Sequence, residues 1–303
     1  MSHDQTAVAE FDAWPATRVR LPDRTLSVRS APPTGPDAEP AVLVHGLGGS
    51  ALNWTDLMGL LADRLDSRAP DLSGFGESPP PDDGDYSMAA HARSVVALIE
   101  ADDRGPVHLF GNSLGGAVST IVASTRPDLV RTLTLVAPAL PDFRPGRSRS
   151  QLVLLALPGV AGLVSRRLAT MPAQARLDGL LDLVYADPTS VSEARRAEAI
   201  TEIERRATLP YGPDAMSAST RGLMLSHAAR AGDALWSYAR QVQAPTLVLY
   251  GGKDKLVLSS ISGKASRSFP NARVVVLPQT GHVAQMEHPA LVADLVRPHL
   301  DQT

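Results

Sequence analysis

The chain has no cysteine in its 303 residues. That excludes disulfides, thiol nucleophiles and cysteine-based zinc or iron–sulfur sites, and removes any redox clue to a compartment. Excess charge of either sign is also missing. Its 29 lysines and arginines face 32 aspartates and glutamates, for a formal net charge of -3. Such a balance offers no electrostatic footprint for nucleic acid or an anionic membrane surface. Long apolar runs are absent as well. The most apolar stretch, LVLLALPGVAGLV at 152–164, is shorter than the about 20 residues that span a bilayer, and Pro158 interrupts it. The N-terminal MSHDQTAVAEFDAWP carries acids and no apolar core, unlike a signal peptide. No internal repeat or low-complexity tract is visible, and no H-E-x-x-H-type spacing suggests a metal. The expectation is a soluble, cytoplasmic protein without nucleic-acid partner, integral membrane association, metal or cofactor. Nothing in the sequence fixes an oligomeric state.

What is present is apolar substance arranged in rhythm. At 44% hydrophobic, the chain can bury one large core or a core plus an inserted subdomain. TRVRLPDRTLSVRSA (17–31) reads as a hairpin turning at Pro22-Asp23, and PPTGPDAEP (32–40) as a loop. Short apolar strands are expected at 41–45, 67–70, 107–111 and 132–137, alternating with helices at 52–65, 87–101 and 114–124. In the second helix Val95, Val96, Leu98 and Ile99 recur near helical spacing, and Ser87 can cap it. From Pro138 to about Leu235 no strand is expected, and VSEARRAEAITEIERRA (191–207) is helical in pattern. Alternation resumes with strands at 245–251 and 272–278 and helices at 259–269 and 288–300. This implies an α/β protein with a mostly parallel, doubly wound sheet. Its core would comprise residues 1–137 and 236–303, with a helical insertion at 138–235.

The glycine cluster in AVLVHGLGGSALNW (41–54) can be read two ways. Gly46, Gly48 and Ala51 match a loose dinucleotide fingerprint, with Asp66 or Asp71 roughly where a ribose-binding acid would stand. From His45 the same residues form an HG-type loop that donates backbone N–H groups to an oxyanion. VHLFGNSLGGAV (107–118) bears on the choice. Gly111-Asn112-Ser113-Leu114-Gly115 is a G-x-S-x-G sequence, with an apolar strand leading in and a small-residue helix leading out. Such a turn lifts a serine hydroxyl above the sheet edge, next to the free N–H groups of a helix start. Serine needs a base, and the base a carboxylate. Asp254 follows one later strand and His282 the next. Of the other histidines, His3 lies near the terminus, His91, His227 and His299 in helical stretches, His288 at a helix start, and His108 on a buried strand.

HGLGG (45–49), DLSGFGES (71–78), GNSLGG (111–116), GGKD (251–254) and GHVAQMEHP (281–289) together resemble the α/β-hydrolase superfamily, in its subgroup with a helical cap after strand six. The resemblance spans the expected core in order and leaves the cap unmatched. It implies an eight-stranded-type sheet, Ser113 as nucleophile, His282 as base and Asp254 as the group orienting it. The oxyanion hole would be the N–H groups of Leu47 and Leu114, with His45 and Gly46 shaping the loop. Asp71 and Gly74 would belong to a structural turn, where Ser73 replaces the family's usual proline. Ester hydrolysis of a small to medium apolar acyl or aromatic substrate is the default reaction. Carbon–carbon hydrolysis, as in meta-cleavage-product hydrolases, is the alternative. Asn112 would then line the pocket, but Val283 and Met286 stand where those enzymes usually carry aromatics. Their acidic substrates also need a cap arginine, for which Arg166, Arg167, Arg176, Arg195 and Arg196 are available. Haloperoxidase-like, acyltransferase and non-catalytic binding roles share the same residues. The apolar 151–164 stretch would either fill the cap's own core or wall the site.

Overall fold

The computed structural model describes residues 10–142, 160–228 and 234–302. His3 and most of the apolar 151–164 stretch lie outside the described residues. Eight strands form one sheet: β1 (Ala16–Arg20), β2 (Thr25–Ala31), β3 (Glu39–Val44), β4 (Leu65–Pro70), β5 (Val107–Asn112), β6 (Val130–Val136), β7 (Thr246–Gly251) and β8 (Ala272–Leu277). Their order is β1-β2-β4-β3-β5-β6-β7-β8. The expected hairpin supplies the antiparallel part, since β2 pairs antiparallel with both β1 and β4. All other pairings are parallel. β5 and β7 are buried at every position, as strands covered on both faces must be.

On one face lie α2 (Met88–Asp102) and α3 (Leu114–Thr125), whose Leu98, Val118 and Val122 pack in one core cluster. The other face is covered by α1 (Thr55–Leu60) and, after the last strand, by a long terminal helix at Pro289–Leu300. Leu57, Val292 and Val296 meet Phe110 and Leu249 there. Ser87 caps α2 as expected, its hydroxyl accepting from Ala90 N at 3.1 Å.

The helix expected over 52–65 is shorter. A 3₁₀ turn (Ala51–Trp54) leads into α1, which stops at Leu60. Leu65, apolar at a helical spacing, is instead the first residue of β4 and pairs with Glu39. The strand expected over 132–137 starts at Val130 and stops one residue early, because Ala137 turns to φ 44°.

Between β6 and β7 the described residues form helices and no strand. These are α4 (Val160–Ala169), α5 (Ala173–Val184), α6 (Glu193–Ala207), α7 (Gly212–Ala228) and α8 (Ala234–Ala239). α8 returns the chain to the sheet. Its Leu235 and Trp236 join the main core, and Trp236 Nε1 donates to Pro141 O at 3.0 Å. Three further helices, α9 (Ser262–Ser268), α10 (Ala284–Glu287) and α11 (Pro289–Leu300), complete the chain. Among the described residues no helix is long and apolar enough to cross a membrane.

β3 lies between β4 and β5, so the connections leaving its carboxyl end and that of β5 run to opposite sides. A crevice must open where they diverge. The two glycine-rich stretches of the sequence occupy that point.

Candidate active site

Ser113 follows β5 directly and begins α3 with φ 54° and ψ -116°, a conformation that costs a non-glycine residue about 1–3 kcal/mol. The surroundings enforce it. Ser113 N donates to Val136 O at 3.0 Å, and its carbonyl accepts from Ala117 N and Ala139 N. A Cβ at Gly115 would lie 2.2 Å from Val44 O, so only glycine lets α3 start this close to β3.

The loop after β3 presses against the same point. A Cβ on Gly46 would sit 3.1 Å from Ser113 Cβ. His45 holds this loop. Its Nε2 accepts from Leu72 N at 2.9 Å, so its Nδ1 carries the hydrogen donated to Gly46 O at 2.7 Å. Burial lowers the His45 pKa to about 4, which keeps the ring neutral. Asp71, 1% exposed, accepts from Ala51 N at 2.7 Å and Glu77 N at 2.9 Å. Both carboxylate oxygens thus serve the protein's own backbone, and Asp66 pairs with Arg104. The acids that a dinucleotide reading would need are therefore committed. Gly74 sits in the 71–78 turn at φ +80°. Ser73, in the position of the family's proline, is buried, and its hydroxyl has no hydrogen-bond partner among the described residues.

His282 Nδ1 donates to Asp254 Oδ2 at 2.8 Å. Asp254 Oδ1 accepts from Leu256 N at 2.7 Å and Val257 N at 2.9 Å, fixing the carboxylate at the end of β7. With Nδ1 committed, Nε2 is the nitrogen free to exchange a proton. The His282 backbone is anchored at both ends. Its N–H donates to Val184 O at 2.7 Å, and its carbonyl accepts from Asn112 Nδ2 at 3.2 Å. Glu287, five residues on, accepts from Gly281 N at 2.6 Å through one oxygen. Its other oxygen accepts from Ala186 N (3.0 Å) and Asp187 N (3.1 Å). This buried carboxylate joins the His282 loop to the end of α5. Sequence reasoning missed it, although GHVAQMEHP contained the signal.

Ser113 and His282 open into one cavity of about 730 Å³. Leu47, Asn112, Val283 and Met286 also line it, whereas the Leu114 side chain is fully buried in the core beneath. Leu140, Leu181, Met216, Leu223 and Val257 add apolar wall that the sequence did not announce. Of the five arginines considered, only Arg195 reaches the cavity, and Arg206 joins it unforeseen. Both are paired: Arg195 with Asp56 at 2.5 Å and Glu198 at 2.8 Å, Arg206 with Glu202 at 2.7 Å. Lys255, also at the cavity, donates to Asp182 O.

Of the other described histidines, His227 also lines the cavity, where its Nε2 meets Ala139 O, whereas His91 is engaged with Ser219 Oγ, His108 with Thr132 Oγ1 and Glu39, and His299 with Leu133 O, away from it. His288 stands at the N-terminus of α11. Among the described residues no group of three or more His, Asp or Glu could hold a metal ion.

A family model described as the alpha/beta hydrolase fold matches residues 40–289. The chain is 34% identical over 264 residues to the dihydrolipoyllysine-residue acetyltransferase component of the acetoin cleaving system of Pseudomonas putida, matching 84% of this chain but 61% of that protein. It is 29% identical over 262 residues to 2-hydroxymuconate semialdehyde hydrolase of the same organism, with 85% of each chain covered. The solved structure of wild-type Cfl2 from Burkholderia cenocepacia superposes with a TM-score of 0.80 at 21% identity, covering 96% of this chain and 98% of that one.

Proposed function

The chain belongs to the alpha/beta hydrolase family, and from that premise we propose that it is a serine hydrolase of neutral carboxylic esters with apolar acyl groups. Ser113 Oγ attacks the ester carbonyl while His282 Nε2 takes its proton, and Asp254 stabilises the imidazolium. The tetrahedral oxyanion is met by the N–H groups of Leu47 and Leu114, the latter in the unpaired first turn of α3. Collapse expels the alcohol with the proton from His282. Water, activated by the same nitrogen, then releases the acid and restores Ser113. Helices α4 to α7, which lie within 138–235, act as a cap over this site.

One observation carries the reading. The buried Asp254–His282 hydrogen bond and the left-handed Ser113 open into a single cavity. The cavity's arginines support a neutral substrate, since each is already bound to a carboxylate and an entering anion would have to displace it. Carbon–carbon hydrolysis of an acidic dienoate is the second reading, favoured by the similarity to the semialdehyde hydrolase. A panel of p-nitrophenyl esters and a ring-cleavage dienoate, with Ser113→Ala as blank, separates the two. Ester turnover lost in the variant supports the proposal. Dienoate turnover exceeding every ester would replace it with the second reading.

A further inference from the structure

The charged residues of α6 that face the cavity are Arg195, Glu198, Glu202 and Arg206. Their spacings of three, four and four place them on one helical face. α6 contributes no fully buried residue: Ala199, Ile200 and Ile203 pack partly buried against Leu177, Leu181 and Tyr185, and Arg195 ties the charged face to Asp56 of α1. At its C-terminal end the contacts leave the helix. The Glu202 carboxylate accepts from Arg205 Nε and Arg206 Nε, each at 2.7 Å, and from Arg205 Nη2 at 2.9 Å. Each guanidinium then reaches one backbone carbonyl of the floor: Arg205 Nη2 donates to Gly76 O at 2.6 Å, and Arg206 Nη1 donates to Gly48 O.

Those two carbonyls belong to left-handed glycines, Gly76 at φ +51° and Gly48 at φ +70°. Gly48 directly follows Leu47 in the loop whose other end is braced by His45. A side chain at 48 would strike Met216 Cε of α7 at 2.9 Å, so the roof closes on this loop from two helices. Burial works against the Glu202 carboxylate, but its hydrogen bonds and charge contacts with Arg205 and Arg206 outweigh that and hold its pKa below the ordinary value. The group stays ionised and keeps both arginines oriented.

We propose that Arg206 is a positioning residue for the oxyanion loop. Held by Glu202, it pins the Gly48 carbonyl so that the adjoining Leu47 N–H points at the developing oxyanion only while α6 is seated over the cavity. The inference rests on the hydrolase reading of the same site. It makes the roof part of the chemistry: an enzyme with α6 lifted binds ester but turns it over slowly. Arg205 makes the parallel contact to a loop that carries no donor, and so serves as its internal control.

The test uses the full chain with Arg206→Gln, Arg206→Lys, Arg205→Gln and Ser113→Ala, assayed on p-nitrophenyl butyrate and by inhibition with an alkyl boronic acid, whose serine adduct carries a tetrahedral oxyanion. Arg206→Gln is expected to lower kcat about 10- to 100-fold, as misplacing one donor does, with KM within about 3-fold. Boronate inhibition should weaken in step. Arg206→Lys, which keeps the charge but not the two-pronged reach, should recover part of the loss. Arg205→Gln should leave kcat within about 3-fold of the parent, since it touches no donor loop. A raised KM with unchanged kcat in Arg206→Gln would overturn the proposal. So would equal losses of kcat in Arg205→Gln and Arg206→Gln, or a lysine variant no better than the glutamine. If Ser113→Ala retains turnover, it is the hydrolase reading that fails, whatever the arginine variants do.

Discussion

The floor and the roof of the cavity are built by opposite means. The floor is held by backbone. Ser113, His282 and the loop at 45–49 are each fixed by main-chain hydrogen bonds and by glycines that a Cβ would displace. Nearly every side chain behind them is buried in one of two apolar clusters. The roof is held by side chains. α6 buries no residue fully; the Arg195–Asp56 ion pair and the hydrogen bonds of Arg205 and Arg206 to the Gly76 and Gly48 carbonyls tie it down. Main-chain bonds in a dry core give geometry that survives substitution of neighbouring side chains. Half-exposed ion pairs are individually weak and screened by salt. The comparison therefore teaches where precision and where movement should lie: chemistry on the floor, adjustment in the roof.

The comparison breaks first, and hardest, if the floor is not the site of chemistry. Ser113→Ala or His282→Ala should reduce kcat by about 10⁴–10⁶-fold with the fold intact, measured by ester hydrolysis and near-UV circular dichroism. Asp254→Asn keeps its carbonyl oxygen on Leu256 N and Val257 N and so turns its NH2 toward His282 Nδ1, forcing the tautomer with Nε2 protonated, which cannot act as base. A fall of about 10⁴ in kcat is expected in the same assay. Next come stability effects. Trp236→Ala removes a fully buried indole of α8 and should destabilise the chain by about 3–5 kcal/mol in urea unfolding. Leu225→Ser on the exposed side of α7 should change stability by less than about 0.5 kcal/mol, as an unconstrained surface position does. Comparable losses from the two would erase the distinction between floor and roof.

Acid should loosen the floor before the roof. The pKa of His45 is lowered to about 4 and that of His91 to about 3, both by burial. Between those values and the ordinary histidine range near 6.5, the unfolded chain binds more protons than the folded one, so stability falls as pH falls through that window. Asp71 opposes this: its pKa is raised by burial, so it contributes stability as pH drops through its folded value. The net expectation is a Tm that declines from about pH 6.5 downward. Replacing His91 by Gln should flatten that decline; an unchanged slope would remove His91 from the account.

Much of the floor was legible in the sequence, because glycine positions and strand–turn–helix rhythm are local properties. G-x-S-x-G announced the Ser113 turn, and Ser87 announced the start of α2. The mostly parallel, doubly wound sheet follows from apolar strands alternating with helices. The helix expected to Leu65 overran because a buried strand residue fell on a helical spacing, which periodicity alone cannot separate. The roof was barely legible. Arg206 looked like one arginine among many, and only tertiary placement brings it to Gly48. Glu287 is the same case, since its three N–H donors come from segments about a hundred residues apart.

The central claim is that Ser113 hydrolyses neutral esters inside a largely apolar cavity. It is tested most directly by kcat/KM across p-nitrophenyl esters from acetate to octanoate, with Ser113→Ala measured alongside. kcat/KM is expected to hold or rise with acyl length and to disappear in the variant. A steep fall from acetate to octanoate, or turnover that survives in Ser113→Ala, would contradict it.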